Sequence, residues 1–169
     1  MPQISNKLKW CINKAKQEGK KHRGIRVIEP DPTRVKQHIN KAKHNLKVMI
    51  YLIKGNMHDW AISASFYSMY HCLLAVLYKH GYESRNQECT FAAVEILIDE
   101  KKIDLPLDKL RKISFPERKE VLESNAVIEL REDAQYGTET AYDLQKIHVL
   151  RQETAEFLDQ VQEMLERKK

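Results

Sequence analysis

Three observations predict an all-α protein. Apolar residues recur at steps of three and four along most of the chain, the period of one helical face. Turn formers are scarce, with 5 Gly and 5 Pro in 169 residues. No segment keeps the strict alternation of a half-buried strand. At roughly 100–200 residues per domain, the length fits one compact domain, or one domain with an extension. With 42% hydrophobic and 31% charged residues, the composition excludes a disordered tail and a turn-rich all-β protein.

The elements follow in order. Residues 6 to 17 place Leu8, Cys11, Ile12 and Ala15 on a narrow apolar face among lysines, and Gly19 ends this first helix. Gly19 to Pro30 carries Lys20, Lys21, His22, Arg23 and Arg26 without burial periodicity and reads as an extended basic linker. Residues 1–31 are therefore set apart as an N-terminal helical extension, with the bundle expected over 32–169. Asp31 followed by Pro32 supplies a helix cap and a first-turn proline. Val35, Ile39, Ala42, Leu46, Met49, Ile50 and Ile53 then form one stripe of a long second helix, which Gly55 stops. A third helix runs from about Asp59, as its cap, to His80, with Gly81 as breaker. It is apolar nearly all round and belongs at the centre. The short loop from Gly55 to Asp59 makes the second and third helices antiparallel neighbours. A fourth helix spans Gln87 to Glu100, burying Phe91, Val94, Leu97 and Ile98. Lys101 to Pro116 is irregular, with Pro106 able to begin a short turn. Residues 117 to 136 read as helical. Asp143 to Glu166 forms the last helix through Leu144, Ile147, Leu150, Thr154, Leu158, Val161 and Leu165.

The net charge of +5 hides a split. Residues 1–54 hold 14 Lys and Arg against 3 Asp and Glu, a charge of +11, and the remainder is −6. A basic end of this kind suits nucleic acid, a nucleotide or an acidic partner, or is simply a solvated face. Cys11, Cys72 and Cys89 cannot form a fully paired disulfide framework and include no Cys-x-x-Cys, which suits a reducing, cytoplasmic setting. No secretory leader is visible at the N-terminus, where Ser5, Asn6, Lys7 and Lys9 interrupt any apolar run. Trp60 to Tyr78 is the most apolar stretch, but Ser63, Ser65, Ser68 and His71 within it favour a buried helix over a membrane span.

Three clusters carry candidate chemistry. Tyr67 and His71 are four apart on the third helix, one turn after Ser63, and either serve proton transfer or are satisfied core polar groups. The junction Gly81 to Cys89 offers Ser84 or Asn86 as a cap, and Arg85 beside a helix N-terminus that could meet an anion. The bland alternative is a capping turn with an exposed arginine. In Glu129 to Thr138, Arg131 and Gln135 are i,i+4, with acids at 129, 132 and 133 and Tyr136 beyond, so a phosphate-binding guanidinium or an ion-paired solvated face both fit. The basic arm Lys20, Lys21, Arg23 and Arg26 is a further candidate for phosphate contact. No Gly-rich phosphate loop, nucleophile elbow, kinase or dinucleotide signature is present, and no metal-ligand spacing, so neither a cofactor nor a metal is expected.

Residues 32 to 166 carry a family resemblance. Ala42 to Leu46, the Gly55 loop, Trp60-Ala61-x-x-Ala64-Ser65-Phe66-Tyr67-Ser68-Met69-Tyr70-His71, Leu73 to Gly81, Glu129-Leu130-Arg131-Glu132-Asp133-Ala134-Gln135-Tyr136 and Ala155-Glu156-Phe157-Leu158 together resemble the HEPN domain of archaea and bacteria. That resemblance implies an up-and-down bundle of four to five helices, usually a homodimer. It also implies a gene often paired with a minimal nucleotidyltransferase in toxin–antitoxin systems, in which active members are ribonucleases with Arg followed after four to six residues by His. Arg131 matches the arginine, but Tyr136 follows and no His stands at 136 to 138; Arg85 has no His at 90 to 92. A neutral tyrosine cannot replace imidazole as a base near neutral pH. The resulting expectation is a non-catalytic or weakly active dimeric component that binds a nucleotide, RNA or a partner through Arg131, Tyr136 and Arg85. Its rivals are a divergent metal-independent ribonuclease using Arg131 with Tyr136 or His71, and a purely structural oligomeric module.

Overall fold

The computed structural model describes residues 2–114, 127–140 and 142–167, and α3 forms its axis. Helix α1 covers Pro2–Glu18 and passes through a 3-10 turn, Gly19–Lys21, to the short strand β1, Ile25–Val27. Helices α2, Pro32–Lys54, and α3, His58–Lys79, form the antiparallel hairpin that the short loop demands. Strand β2, Tyr82–Ser84, leads to α4, Gln87–Asp99, and then α5, Leu107–Ile113. Helices α6, Val127–Tyr136, and α7, Leu144–Glu166, complete the bundle. The helical reading of 117–136 is met from Val127 onward, and its earlier part lies outside the described residues.

Local chemistry explains the helix ends. Asp31 accepts the Arg34 backbone N–H at 2.9 Å, with Pro32 in the first turn, as the sequence requires. Asn86 accepts the Cys89 N–H at 2.9 Å, and Asp143 accepts that of Gln145 at 2.8 Å. Asp59 departs from expectation. Helix α3 begins two residues earlier, with Met57 at the cap and no side-chain bond, so Asp59 acts only as a first-turn carboxylate near the positive helix end.

Helix α3 packs against α2, α4, α6 and α7. It buries residues on nearly every side, from Ala61 and Ile62 through Phe66 and Leu73 to Leu77. It is the described helix long and apolar enough to cross a membrane, and 83% of its apolar window is buried within the bundle. The serines that interrupt its apolar run are bonded across helices. Ser65 Oγ lies 2.8 Å from Thr154 Oγ1 on α7, and Ser68 Oγ donates to the Ala42 carbonyl on α2 at 2.8 Å. Such bonds offset the cost of burying hydroxyls in the core.

The N-terminal segment differs most from its sequence reading. Instead of an extended linker, it is folded onto the bundle: His22, Gly24 and Ile25 are buried, and β1 pairs antiparallel with β2, Arg26 opposite Glu83. Three-residue strands are too short to show alternation, which is why the sequence reading found none. Gly24 is required where it stands, because a Cβ there would sit 2.3 Å from the Cys11 carbonyl oxygen. Cys11 and Cys89 form a disulfide that ties α1 to α4, and Cys72 is the buried free thiol. One bonded pair and one free thiol agree with three cysteines that cannot all pair; which two join was concealed by their separation of 78 residues.

Candidate functional site

Helix α6 buries Val127, Ile128, Arg131 and Ala134, so the period that packs its apolar side also drives Arg131 inward. Arg131 is only 6% exposed, and its guanidinium carbon lies 5.0 Å from the centroid of the Phe66 ring. Nη1 donates to Gln135 Oε1 at 3.2 Å and Nη2 to Glu132 Oε1 at 3.2 Å, while Nε has no hydrogen-bond partner. The Glu132 side chain, the acid that answers this charge, is 41% exposed. A buried cation with an unused donor is costly unless something else satisfies it. Stacking on Phe66 recovers part of that cost and holds the guanidinium plane in place.

From Phe66 a run of rings follows α3. Tyr70 stacks on Phe66 at 5.7 Å, His71 lies 6.4 Å from Tyr70, His38 of α2 stacks on His71 at 5.2 Å, and Tyr78 stacks on His38 at 5.1 Å. Tyr70 Oη bonds Thr90 Oγ1 at 3.0 Å, and burial raises its phenol pKa above the ordinary value. His38 Nδ1 and His71 Nδ1 are 2.9 Å apart. Burial, then the charges of His38 and Lys41, lowers His71 to about 4, and burial followed by Arg34 lowers His38. Both rings are therefore neutral near pH 7.

The sequence-derived candidates separate into distinct places. His71 takes its partner from α2 rather than from Tyr67 or Ser63 on its own helix. Tyr67 is 38% exposed and meets Phe66 edge-on. Tyr136 is 76% exposed and stands five residues past Arg131, about 140° around the helix, so the two do not form one cleft within this chain. Arg85 is engaged elsewhere, donating to Glu83 Oε1 at 2.8 Å and to the Lys20 carbonyl at 2.9 Å. It follows the C-terminal end of α3, whereas Arg131 lies over Phe66, roughly 20 Å back along that helix. Asn86 is spent on the α4 cap. In the basic arm, Arg26 reaches Glu83 at 3.9 Å, while Lys20, Lys21 and Arg23 are exposed. No group of three or more His, Cys, Asp or Glu side chains that could hold a metal occurs among the described residues.

Two participants escaped sequence reasoning. Phe66 read only as core, and nothing in the sequence paired it with Arg131. His38 lies at the margin of the α2 stripe, and its one signal was the spacing of Arg34, His38 and Lys41 on a common face.

An all-α bundle built on a long antiparallel hairpin, with one arginine buried from a late helix onto the central one, defines the class as a helical-bundle protein. Family comparison makes the assignment specific: residues 35–169 match the HEPN domain, and the chain belongs to that family. The arm through Arg34 lies outside the match. No curated protein matches the chain.

Proposed function

We propose that this HEPN protein binds the phosphate of a nucleotide or RNA through Arg131 and does not cleave it. The observation that carries the reading is the buried guanidinium with its unpartnered Nε and a partly exposed acid neighbour. A phosphate oxygen arriving at Nε, with a second at Nη2 as Glu132 swings out, replaces a poorly satisfied pair with a bidentate one. Catalysis would need a base beside that phosphate. His71 lies five residues beyond Phe66, about 7.5 Å along α3 and on another side of it, with its Nδ1 already committed to His38. This arrangement favours binding over hydrolysis.

Calorimetry with nucleoside phosphates and short RNAs tests the reading. Arg131→Gln is expected to weaken binding at least about tenfold, the loss of one charge-assisted pair, and Glu132→Gln to tighten it. Unchanged affinity in Arg131→Gln would overturn the proposal, and RNA cut by EDTA-treated protein would establish the ribonuclease rival instead. Homodimerisation and pairing with a minimal nucleotidyltransferase are part of the same proposal and rest on family membership. Sedimentation and co-purification from the native source check them. A cytoplasmic setting is also proposed, although the Cys11–Cys89 bond weighs against it, and thiol titration of freshly lysed cells decides the point.

A further inference from the structure

The seam between α2 and α3 holds a second polar cluster, which the Arg131 site does not use. Arg34, His38 and Lys41 are spaced four and three residues apart, so one face of α2 presents all three. Neither Arg34 nor Lys41 forms an ion pair among the described residues, and the Arg34 guanidinium donates to Gln37 Oε1 at 3.2 Å. From this face His38 reaches α3, with its Nδ1 at 2.9 Å from that of His71 and its ring against Tyr78. The outside charges acting on the two imidazoles are Arg34 and Lys41, both positive, with no carboxylate among them. Cations gathered around neutral imidazoles without an acid repel one another, and an anion from solution relieves that repulsion.

We propose that Arg34, His38, Lys41 and His71 form a binding site for a phosphate group, separate from Arg131, and that the phosphate enters together with one proton. In the neutral pair one ring donates its Nδ1–H to the bare Nδ1 of the other. The donor ring then has a bare Nε2, and the acceptor ring carries Nε2–H. A proton added to the bare Nε2 keeps the Nδ1–H···Nδ1 bridge, breaks no bond and gives the pair two Nε2–H donors with a net positive charge. Neither Nε2 has a hydrogen bond among the described residues, so both are available. Without an anion, burial and the two cations keep the rings unprotonated at neutral pH; a dianion reverses the sign of the local field and favours the extra proton. The other ionisable groups are Tyr67, Tyr70 and Tyr78 on α3, and Glu83, Arg85 and Asp31, whose charges act on Tyr78. Arg34 acts on Tyr78 together with Glu83 and Asp31, so those two acids lie at the Arg34 end of the cluster, while the charges that act on the two imidazoles themselves include no carboxylate.

Sulfate is the first probe, because it stays doubly charged between about pH 5 and 8, where phosphate itself titrates. Calorimetry is expected to show affinity falling by up to about tenfold per pH unit as pH rises, the slope of one linked proton. Sulfate should also raise the titration midpoint of the His71 ring nitrogens seen by NMR. Arg34 and Lys41 are exposed, so the double variant Arg34→Gln, Lys41→Gln folds normally and should lose at least about tenfold in affinity. In the Arg131→Gln background, where the site proposed above is removed, pH-dependent sulfate binding should persist, and adding His71→Gln should abolish its slope, which separates the two sites. Ribose 5-phosphate and a short RNA then identify the source of the phosphate: equal affinities assign an isolated phosphate or end group, and tighter RNA binding lost in the double variant assigns the nucleic-acid backbone. Absence of saturable sulfate binding, a flat pH profile, or full affinity in the double variant overturns the site.

Discussion

Arg131 occupies a position that the packing of α6 would give to an apolar residue, between Ile128 and Ala134. A charge buried there with an incomplete set of partners destabilises the free protein relative to a hydrophobic side chain of similar shape. Arg131→Met keeps the contact with Phe66 and removes the charge. Its thermal midpoint is expected to equal or exceed that of the parent while phosphate binding at this site is lost; a fall in the midpoint of several degrees would show that the guanidinium is structural. Sequence singled out Arg131 but could not show the free Nε, because that depends on which atoms of α3 and α6 surround it. Tyr136 illustrates the opposite error: sequence adjacency suggested one site, and the helical turn carried it to the surface.

At the scale of elements, the α2–α3 hairpin was legible because seven apolar residues of α2 fall on one stripe and the loop to α3 is short. The imidazole bridge across it was not, since it joins residues 33 apart. Burial of the two imidazoles, with the neighbouring charges second, makes hairpin stability depend on pH. The unfolded chain holds its histidines near 6.5 and binds protons more readily than the folded one, in which His71 is lowered to about 4 and His38 is lowered too. Stability is therefore complete above about pH 6.5 and is lost progressively as pH falls toward 4. Urea midpoints at pH 7 and pH 5 measure the loss, and His71→Gln should reduce the difference. Glu83 acts in a lower window. Burial opposes its ionisation, but the hydrogen bond and charge of Arg85, with His22 and Arg26, outweigh that and lower its pKa, so its contribution fails only as pH drops below the ordinary carboxylate range. The α4 cap is separate from both: Asn86→Ala should cost about 1 kcal/mol in denaturant unfolding without altering ligand binding.

Across the whole molecule, the N-terminal arm is held by three independent devices. These are the Cys11–Cys89 bond, the β1–β2 ladder and the Lys7–Glu88 ion pair. A crosslink spanning 78 residues constrains the unfolded chain far more than an exposed ion pair stabilises the folded one. Reduction, or Cys11→Ser with Cys89→Ser, should lower unfolding free energy by about 2–4 kcal/mol, read from urea denaturation with and without reductant. No change would mean that the strand ladder and the polar contacts of the arm position it without the crosslink. The +11 charge of the first 54 residues therefore belongs to a docked surface, and one of its arginines, Arg26, already faces Glu83.

Sequence by itself determined what depends on local spacing: the helical class, the cap at Asp31, the antiparallel hairpin, the central place of α3 and the family signature. Helical periodicity and turn chemistry are written within a few residues of one another, so one dimension suffices to read them. Tertiary structure alone decided which distant groups meet. It joined Cys11 to Cys89, β1 to β2, Arg131 to Phe66 and His38 to His71, and it parted Arg131 from Tyr136 and Arg85. Those contacts arise from helices crossing in space, and their energies depend on burial and on the direction of single atoms, neither of which the order of residues records.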